Sequence, residues 1–316
     1  NFISPDNIDS LKKFRSVITS NNMINVFSPP KALNIIPFMN KYTENECFVE
    51  EYIEGTMINL FYDSDLNKWE ISTKTSVGGN IKYFKEQPTF AKLFNNICKE
   101  LNIDIEVFSK DYCYSFIMQH PQNKLVLPIV ERKLYLIACY KIQDYNVTLI
   151  PRNEVNLPNN ILLPKLYDMV SYNDLHNIYG SMNTRSDILG VMIYHINGER
   201  TKIHNPNYQY IKYLRGNNTK QQFQYLALRR AGLVKHNLKY FPENGKQFLV
   251  FKNQVHIFTD TLYTNYISCY IKKYKKLIEF PKQFRIHMYY LHQYYLSIRE
   301  NRGYINKNVV IQYINS

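Results

Sequence analysis

The sequence is short of several things, and each shortage excludes a class of protein. Its 316 residues hold one Trp, 10 Gly and 13 Pro, too little Gly and Pro for a collagen-like or low-complexity chain. No apolar run approaches the roughly 18 residues a membrane-spanning helix needs, so no membrane partner is expected. The N-terminal stretch NFISPDNIDSLKKF has no signal-peptide pattern, and a chain that starts with Asn reads as a processed or trimmed piece. Cys47, Cys98, Cys113, Cys139 and Cys269 are an odd, scattered set without a CxxC pair. They predict buried free thiols in a reducing intracellular compartment, and no zinc or other cysteine-held metal site.

Acid is what the last third lacks most. Residues 201–316 carry only Glu243, Asp260, Glu279 and Glu300 against 19 Lys and Arg, a balance of +15. Residues 1–200 carry 20 basic and 22 acidic residues, a balance of −2. All of the chain's net +13 therefore comes from the last third, which asks for an acidic partner, most simply nucleic acid. The same third holds 15 of the 28 tyrosines. Lysines that contact phosphates, interleaved with rings that stack on bases, suit RNA or single strands. The competing reading is a Tyr-rich helical domain with a basic outer face.

What is present is ordinary globular material: 45% apolar, 21% charged, 15% aromatic, mean hydropathy −0.38. The length suits two domains. The first two-thirds read as α+β. Phe48–Tyr62 is predicted as one long strand with an early Gly, and Trp69–Thr75 as its antiparallel return. Phe90–Leu101 has helical spacing, with Phe90, Leu93, Phe94, Ile97 and Leu101 on one face. Strands follow at Tyr114–Gln119, Lys133–Tyr140, Asp187–Tyr194 and Thr201–His204. Beyond about Tyr208 the pattern turns helical, over Gln221–Arg230, Val255–Lys276 and Phe284–Arg299, with breaks at Pro242 and Pro281. The domain boundary is expected at 206–212, giving domains of 1–206 and 207–316.

The order of several short segments carries a resemblance. These are Glu51-Tyr52-Ile53-Glu54-Gly55-Thr56, Ser72-Thr73-Lys74-Thr75-Ser76, and Tyr114-Ser115-Phe116 followed by His120-Pro121-Gln122-Asn123-Lys124-Leu125-Val126. Leu189-Gly190-Val191 and Thr201-Lys202-Ile203-His204 complete the series. Over residues 45–215 the chain resembles the phage T4-type RNA ligases of the covalent nucleotidyltransferase superfamily, which also includes DNA ligases and mRNA capping enzymes. Its Asn-, Ile-, Lys- and Tyr-rich usage is similar in style to proteins of large DNA viruses. The resemblance implies an antiparallel-sheet nucleotidyltransferase domain followed by a basic, lineage-specific helical one. It also implies ATP and Mg as cofactors if the reaction is retained.

In that family a lysine two residues before Asp/Glu-Gly attacks the α-phosphate of ATP, which needs an amine with a depressed pKa. Two strand carboxylates orient the ribose and hold metal, and two lysines on the last strand neutralise phosphates. Here the nucleophile position is Tyr52, ahead of Glu54-Gly55. The two carboxylate positions fall on Ser115 and Leu189, the latter before Gly190. Of the paired lysines Lys202 remains, and His204 replaces the other. A phenol with a reference pKa near ~10 is a poor nucleophile, so the resemblance implies a vestigial pocket.

Several residues keep sharper readings. Lys74, expected on the strand facing that pocket, reads as a relocated nucleophile, a phosphate contact or an ordinary strand lysine; Lys31 and Lys41 could reach inward from a loop. Lys202 reads as an anion contact or a solvated strand end, and His204 as a phosphate ligand when protonated. Tyr52 fills the vacated space or offers a stacking surface. Period-two alternation puts Glu50 and Glu54 on one strand face and Glu51 on the other, as a metal pair or as satisfied carboxylates. His120 reads as a turn residue, and His256, His287 and His292 as helix-packing residues. Lys272-Lys273-x-Lys275-Lys276 grips phosphates or complements a helix C-terminus.

The sequence thus points first to a catalytically degenerate RNA-ligase-like protein that binds nucleic acid, RNA before DNA. Arg215, Arg229, Arg230, Lys272, Lys273, Lys275 and Lys276 would carry that binding, with Lys74 and Lys202 lining the old cleft. The alternatives are an active ATP-dependent RNA ligase with its nucleophile moved to Lys74, and an assembly protein that uses the fold to dock protein subunits. Host cytoplasm, or a virion if the source is viral, is the expected location.

Overall fold

A computed structural model of the chain describes residues 14–21, 23–82, 87–218 and 220–315. Most of the N-terminal stretch read above lies outside the described residues. The chain divides into two compact units, Asn1–Lys212 and Tyr213–Ser316.

The first unit contains three antiparallel sheets among its described residues. The hairpin β1 (Ile18–Ser20) and β2 (Met23–Val26) forms one. A five-stranded sheet has the order β5-β4-β6-β7-β8, from β4 (Thr56–Asp63), β5 (Lys68–Ser72), β6 (Tyr112–Gln119), β7 (Lys133–Gln143) and β8 (Asn146–Ile150). A four-stranded sheet has the order β11-β10-β3-β9, from β3 (Cys47–Glu51), β9 (Leu166–Tyr167), β10 (Gly190–His195) and β11 (Arg200–His204). Helices α1 (Ile35–Lys41), α2 (Phe90–Glu100) and α3 (Tyr172–Tyr179) lie between strands, and α4 (Pro206–Arg215) follows β11. Thr89 caps α2 by accepting from the Lys92 N–H, and Ser171 caps α3 from the Asp174 N–H. The apolar face of α2, Leu93, Phe94 and Ile97, is buried with Ile58, Leu60, Tyr114, Phe116, Leu134 and Leu136 of the larger sheet. Val49, Val191, Ile193 and Ile203 of the smaller sheet cluster with Phe38, Tyr172 and Leu175.

The predicted strand Phe48–Tyr62 is two strands in two sheets. β3 ends at Glu51, β4 begins at Thr56, and residues 52–55 cross between the sheets. Gly55 shows why the crossing happens there. A Cβ on it would stand 2.5 Å from Ile117 Cγ2 and 2.6 Å from the Met118 carbonyl oxygen, so only glycine lets the chain pass this close to β6.

The second unit has helices and no strand among its described residues, the longer ones being α5 (Gln221–Arg230), α6 (Val234–Tyr240), α7 (Gly245–Tyr266), α8 (Lys282–Ile298) and α9 (Lys307–Asn315). Its core gathers Leu262, Tyr266, Phe284, Met288, Leu291 and Val310. The predicted helix Val255–Lys276 begins ten residues earlier, at Gly245, and stops after one π turn at Ile267–Ile271. The run Lys272–Lys276 therefore lies beyond the helix, because Lys273 takes a left-handed conformation (φ 57°) that ends it. All five cysteines are free; Cys113, Cys139 and Cys269 are buried, while Cys47 and Cys98 are half-buried. Among the described residues no helix is long and apolar enough to cross a membrane.

Candidate functional site

The crossing segment brings the family-like residues of the smaller sheet together. Gly190 pairs with His204, and Val191 with Glu51, so Gly190 separates His204 from Tyr52, the residue after Glu51. Gly190 adopts φ +123°, and a Cβ there would fall 1.9 Å from the Ile203 carbonyl oxygen. With no side chain between them, the rings of Tyr52 and His204 approach to 5.7 Å between centroids. Lys202, two residues before His204 on β11, donates to the Tyr52 hydroxyl at 3.5 Å. Leu189, where the resemblance implies the second carboxylate, is buried.

Burial lowers the Lys202 pKa, and the charges bearing on it, Arg15, Arg200 and Lys31, are all cationic and lower it further. A half-buried ammonium among cations favours an anion. Burial, Lys202 and Lys212 push the His204 imidazole down to about 4, and its Nδ1 stands 2.9 Å from Gln209 Nε2. At neutral pH the ring is uncharged. Burial and the neighbouring lysines thus oppose the protonation that a phosphate-binding His204 would need.

The carboxylates do not converge. Glu50 is 1% exposed and forms an ion pair with Arg152, whose own pKa burial lowers. Glu54, beyond the end of β3, accepts from the Val126 N–H at 2.8 Å, the Leu127 N–H at 3.1 Å and the Tyr208 hydroxyl at 2.7 Å. It ties the crossing segment to residues 126–127 and to α4. Alternation along one strand does not apply, since Glu50 and Glu54 lie on either side of the strand's end. Among the described residues no group of three or more His, Cys, Asp and Glu is placed to hold a metal ion.

Ser115 is fully buried on β6 and donates to Asn59 Oδ1 at 2.8 Å, while Asn59 Nδ2 donates to Ser72 Oγ at 3.3 Å. Register places Asn59 opposite both serines. This neutral polar row satisfies itself, in the position where the resemblance implies a glutamate.

Lys74 is not on a strand. β5 ends at Ser72, and Lys74 is exposed in a turn held by the Thr73 N–H to the Ser76 carbonyl at 2.8 Å. Lys41 does not reach inward either; it pairs with Glu199 at 2.8 Å. Lys31 is exposed. His120 is buried at a turn, where its Nδ1 accepts from the Gln122 N–H. His287, against the Tyr313 hydroxyl, and His292, stacked on Tyr270, sit in helix packing, whereas His256 is exposed on α7.

In the second unit Arg215 is half-buried at the end of α4. Arg229 donates to Asn315 Oδ1 at 2.9 Å, and Arg229 and Arg230 line a recess of about 700 Å³ with Leu226, Val255 and Ile314. Lys272, Lys273, Lys275 and Lys276 are all exposed. Arg152 and Tyr208 had no sequence signal, because their carboxylate partners lie 102 and 154 residues away.

No protein-family model matches the chain, and no curated protein matches it. Solved structures give distant likenesses. A mutant Naegleria gruberi RNA ligase with ATP and Mn is similar at 10% identity over 64% of this chain and 62% of that one, with a TM-score of 0.42. An archaeal ATP-dependent RNA ligase is similar at 12% identity over 78% and 69%, TM-score 0.44. A protein of Aquifex aeolicus, provisionally assigned as an ATP-dependent DNA ligase, is similar at 13% identity over 82% and 68%, TM-score 0.40. The chain spans under two-thirds of the Naegleria chain's length.

Proposed function

We propose that this chain is a catalytically degenerate RNA-ligase-like protein that binds nucleic acid, RNA before DNA. The observation that carries the reading is the partition of charge between the two units. Asn1–Lys212 holds 22 basic and 22 acidic residues, whereas Tyr213–Ser316 holds 17 Lys and Arg against four acids. The whole net charge of +13 thus resides in the helical unit, which also carries 13 tyrosines. A polyanion with stackable bases is the partner that matches both properties.

The pocket supports the degenerate half of the reading. A phenol occupies the place implied for the amine, a buried neutral serine and a buried leucine occupy the places of the carboxylates, and His204 is uncharged. Lys202 keeps its cationic surroundings and is the anion contact that remains. A relocated nucleophile at Lys74 finds no support, since that amine is exposed in a turn outside the strand.

Titration of the full chain with a short single-stranded RNA at increasing salt tests the binding. Each phosphate contacted in a single strand contributes a slope of roughly −0.7 in log K against log salt, so several contacts give a steep fall. No binding at low salt contradicts the proposal.

A further inference from the structure

We propose that the segment Lys272–Lys276 is a clamp for one nucleic-acid strand, in which Tyr274 stacks on a base and the four lysines hold the phosphates around it. The inference rests on the nucleic-acid reading above and assigns that binding to one loop.

The geometry begins at the end of α7. The Lys272 N–H bonds the Ile267 carbonyl and the Tyr274 N–H bonds the Ser268 carbonyl, both at 2.9 Å, which closes the helix in a Schellman-like turn. The residue that takes the left-handed position is Lys273, where glycine or asparagine is usual. The chain breaks out of the helix inside the basic run, so its side chains leave a turn rather than a helix face. All four lysines are exposed, and Tyr274 at their centre is 72% exposed. Lys272 Nζ stands 5.5 Å from the Tyr274 ring centroid, a cation–π contact that sets the ring beside a charge.

The nearby acid does not neutralise this cluster. Glu279 turns its carboxylate back onto the Lys276 backbone N–H at 2.5 Å. Among the described residues none of the four lysine ammoniums has a carboxylate partner within ion-pair distance. Complementing the helix C-terminus accounts for a charge or two within the last turn, but not for four, nor for an exposed ring among them. An aromatic platform flanked by cations is the arrangement that takes successive nucleotides without reading their sequence. A lipid surface fits less well. It would call for apolar residues at the tip with lysines around them, whereas here the exposed Ile271 and Ile278 stand outside the lysines.

The test uses the full chain, a labelled oligouridylate and anionic phosphatidylserine vesicles. Tyr274→Ala is expected to weaken oligouridylate binding by about 5- to 150-fold with its salt slope unchanged, and Tyr274→Phe to bind as the native chain does. Changing Lys272, Lys273, Lys275 and Lys276 together to Gln is expected to lower the slope by about 3. If the native chain binds the strand while both variants keep its affinity and slope, the clamp is overturned and nucleic-acid binding stands. If the native chain binds no strand even at low salt, the broader reading fails as well. If it binds vesicles through Tyr274 but no oligouridylate, the loop is a lipid contact and the clamp is overturned.

Discussion

The Lys202 ammonium lies 3.5 Å from the Tyr52 hydroxyl, and the Tyr52 ring faces His204 across Gly190. These contacts define the character of the site. A half-buried lysine held among cations favours an anion, yet here its hydrogen-bonding neighbour is a tyrosine hydroxyl.

Gly190→Ala should be severely destabilising. The added Cβ meets a backbone carbonyl that cannot move without breaking the β10–β11 ladder, and φ +123° disfavours any side chain. A loss of roughly 3 kcal/mol or more is expected in urea unfolding.

The Glu50–Arg152 pair gives a double-mutant cycle. Arg152→Met leaves a carboxylate buried without its counter-charge, which costs roughly 3–5 kcal/mol. Adding Glu50→Met should recover most of that loss. A double-variant loss equal to the sum of the two single-variant losses would show that the pair is not coupled.

Glu54 holds the crossing segment. Glu54→Ala strips partners from the Val126 and Leu127 N–H groups and from the Tyr208 hydroxyl, and should cost roughly 2–5 kcal/mol. Tyr208→Phe removes one bond to a charged acceptor and should cost about 1.5–3 kcal/mol. Thermal unfolding of both variants measures the difference.

His204 makes stability depend on pH. Its folded pKa of about 4 is below the ordinary 6.5, so between those values the unfolded chain binds a proton that the folded chain does not. Stability should fall as pH drops from 6.5 to 4. His204→Asn should flatten part of that fall; His120, His287 and His292, also lowered by burial, supply the remainder. Denaturant midpoints across this range check it.

Local pattern made much of the fold readable. Apolar strand-length runs and helical spacing located β6, β7, β10, β11, α2, α5 and α8 to within a few residues; β6 and β10 are buried on both faces and read as runs rather than as alternation. The break within Phe48–Tyr62 was not readable, because residues 52–55 look like strand and leave the sheet only through the contacts of Glu54 and Gly55 with chain far away. β8 and the two-residue β9 carry too little periodicity to stand out. In the site, Tyr52, Lys202 and His204 were legible as an ordered series of short segments, and the structure gathers them. Lys74 was misplaced because Ser72-Thr73-Lys74-Thr75-Ser76 has strand-like composition, while Thr73 uses it to form a turn.

The most direct test of the degenerate pocket is the intact mass of the folded protein after incubation with ATP or GTP and Mg²⁺ or Mn²⁺. The account predicts an unchanged mass, for the native chain and for Tyr52→Lys, which restores an amine without the carboxylates. A covalent nucleotide adduct on the native chain, mapped by peptide analysis to Lys202, Lys74 or any other residue, would contradict it.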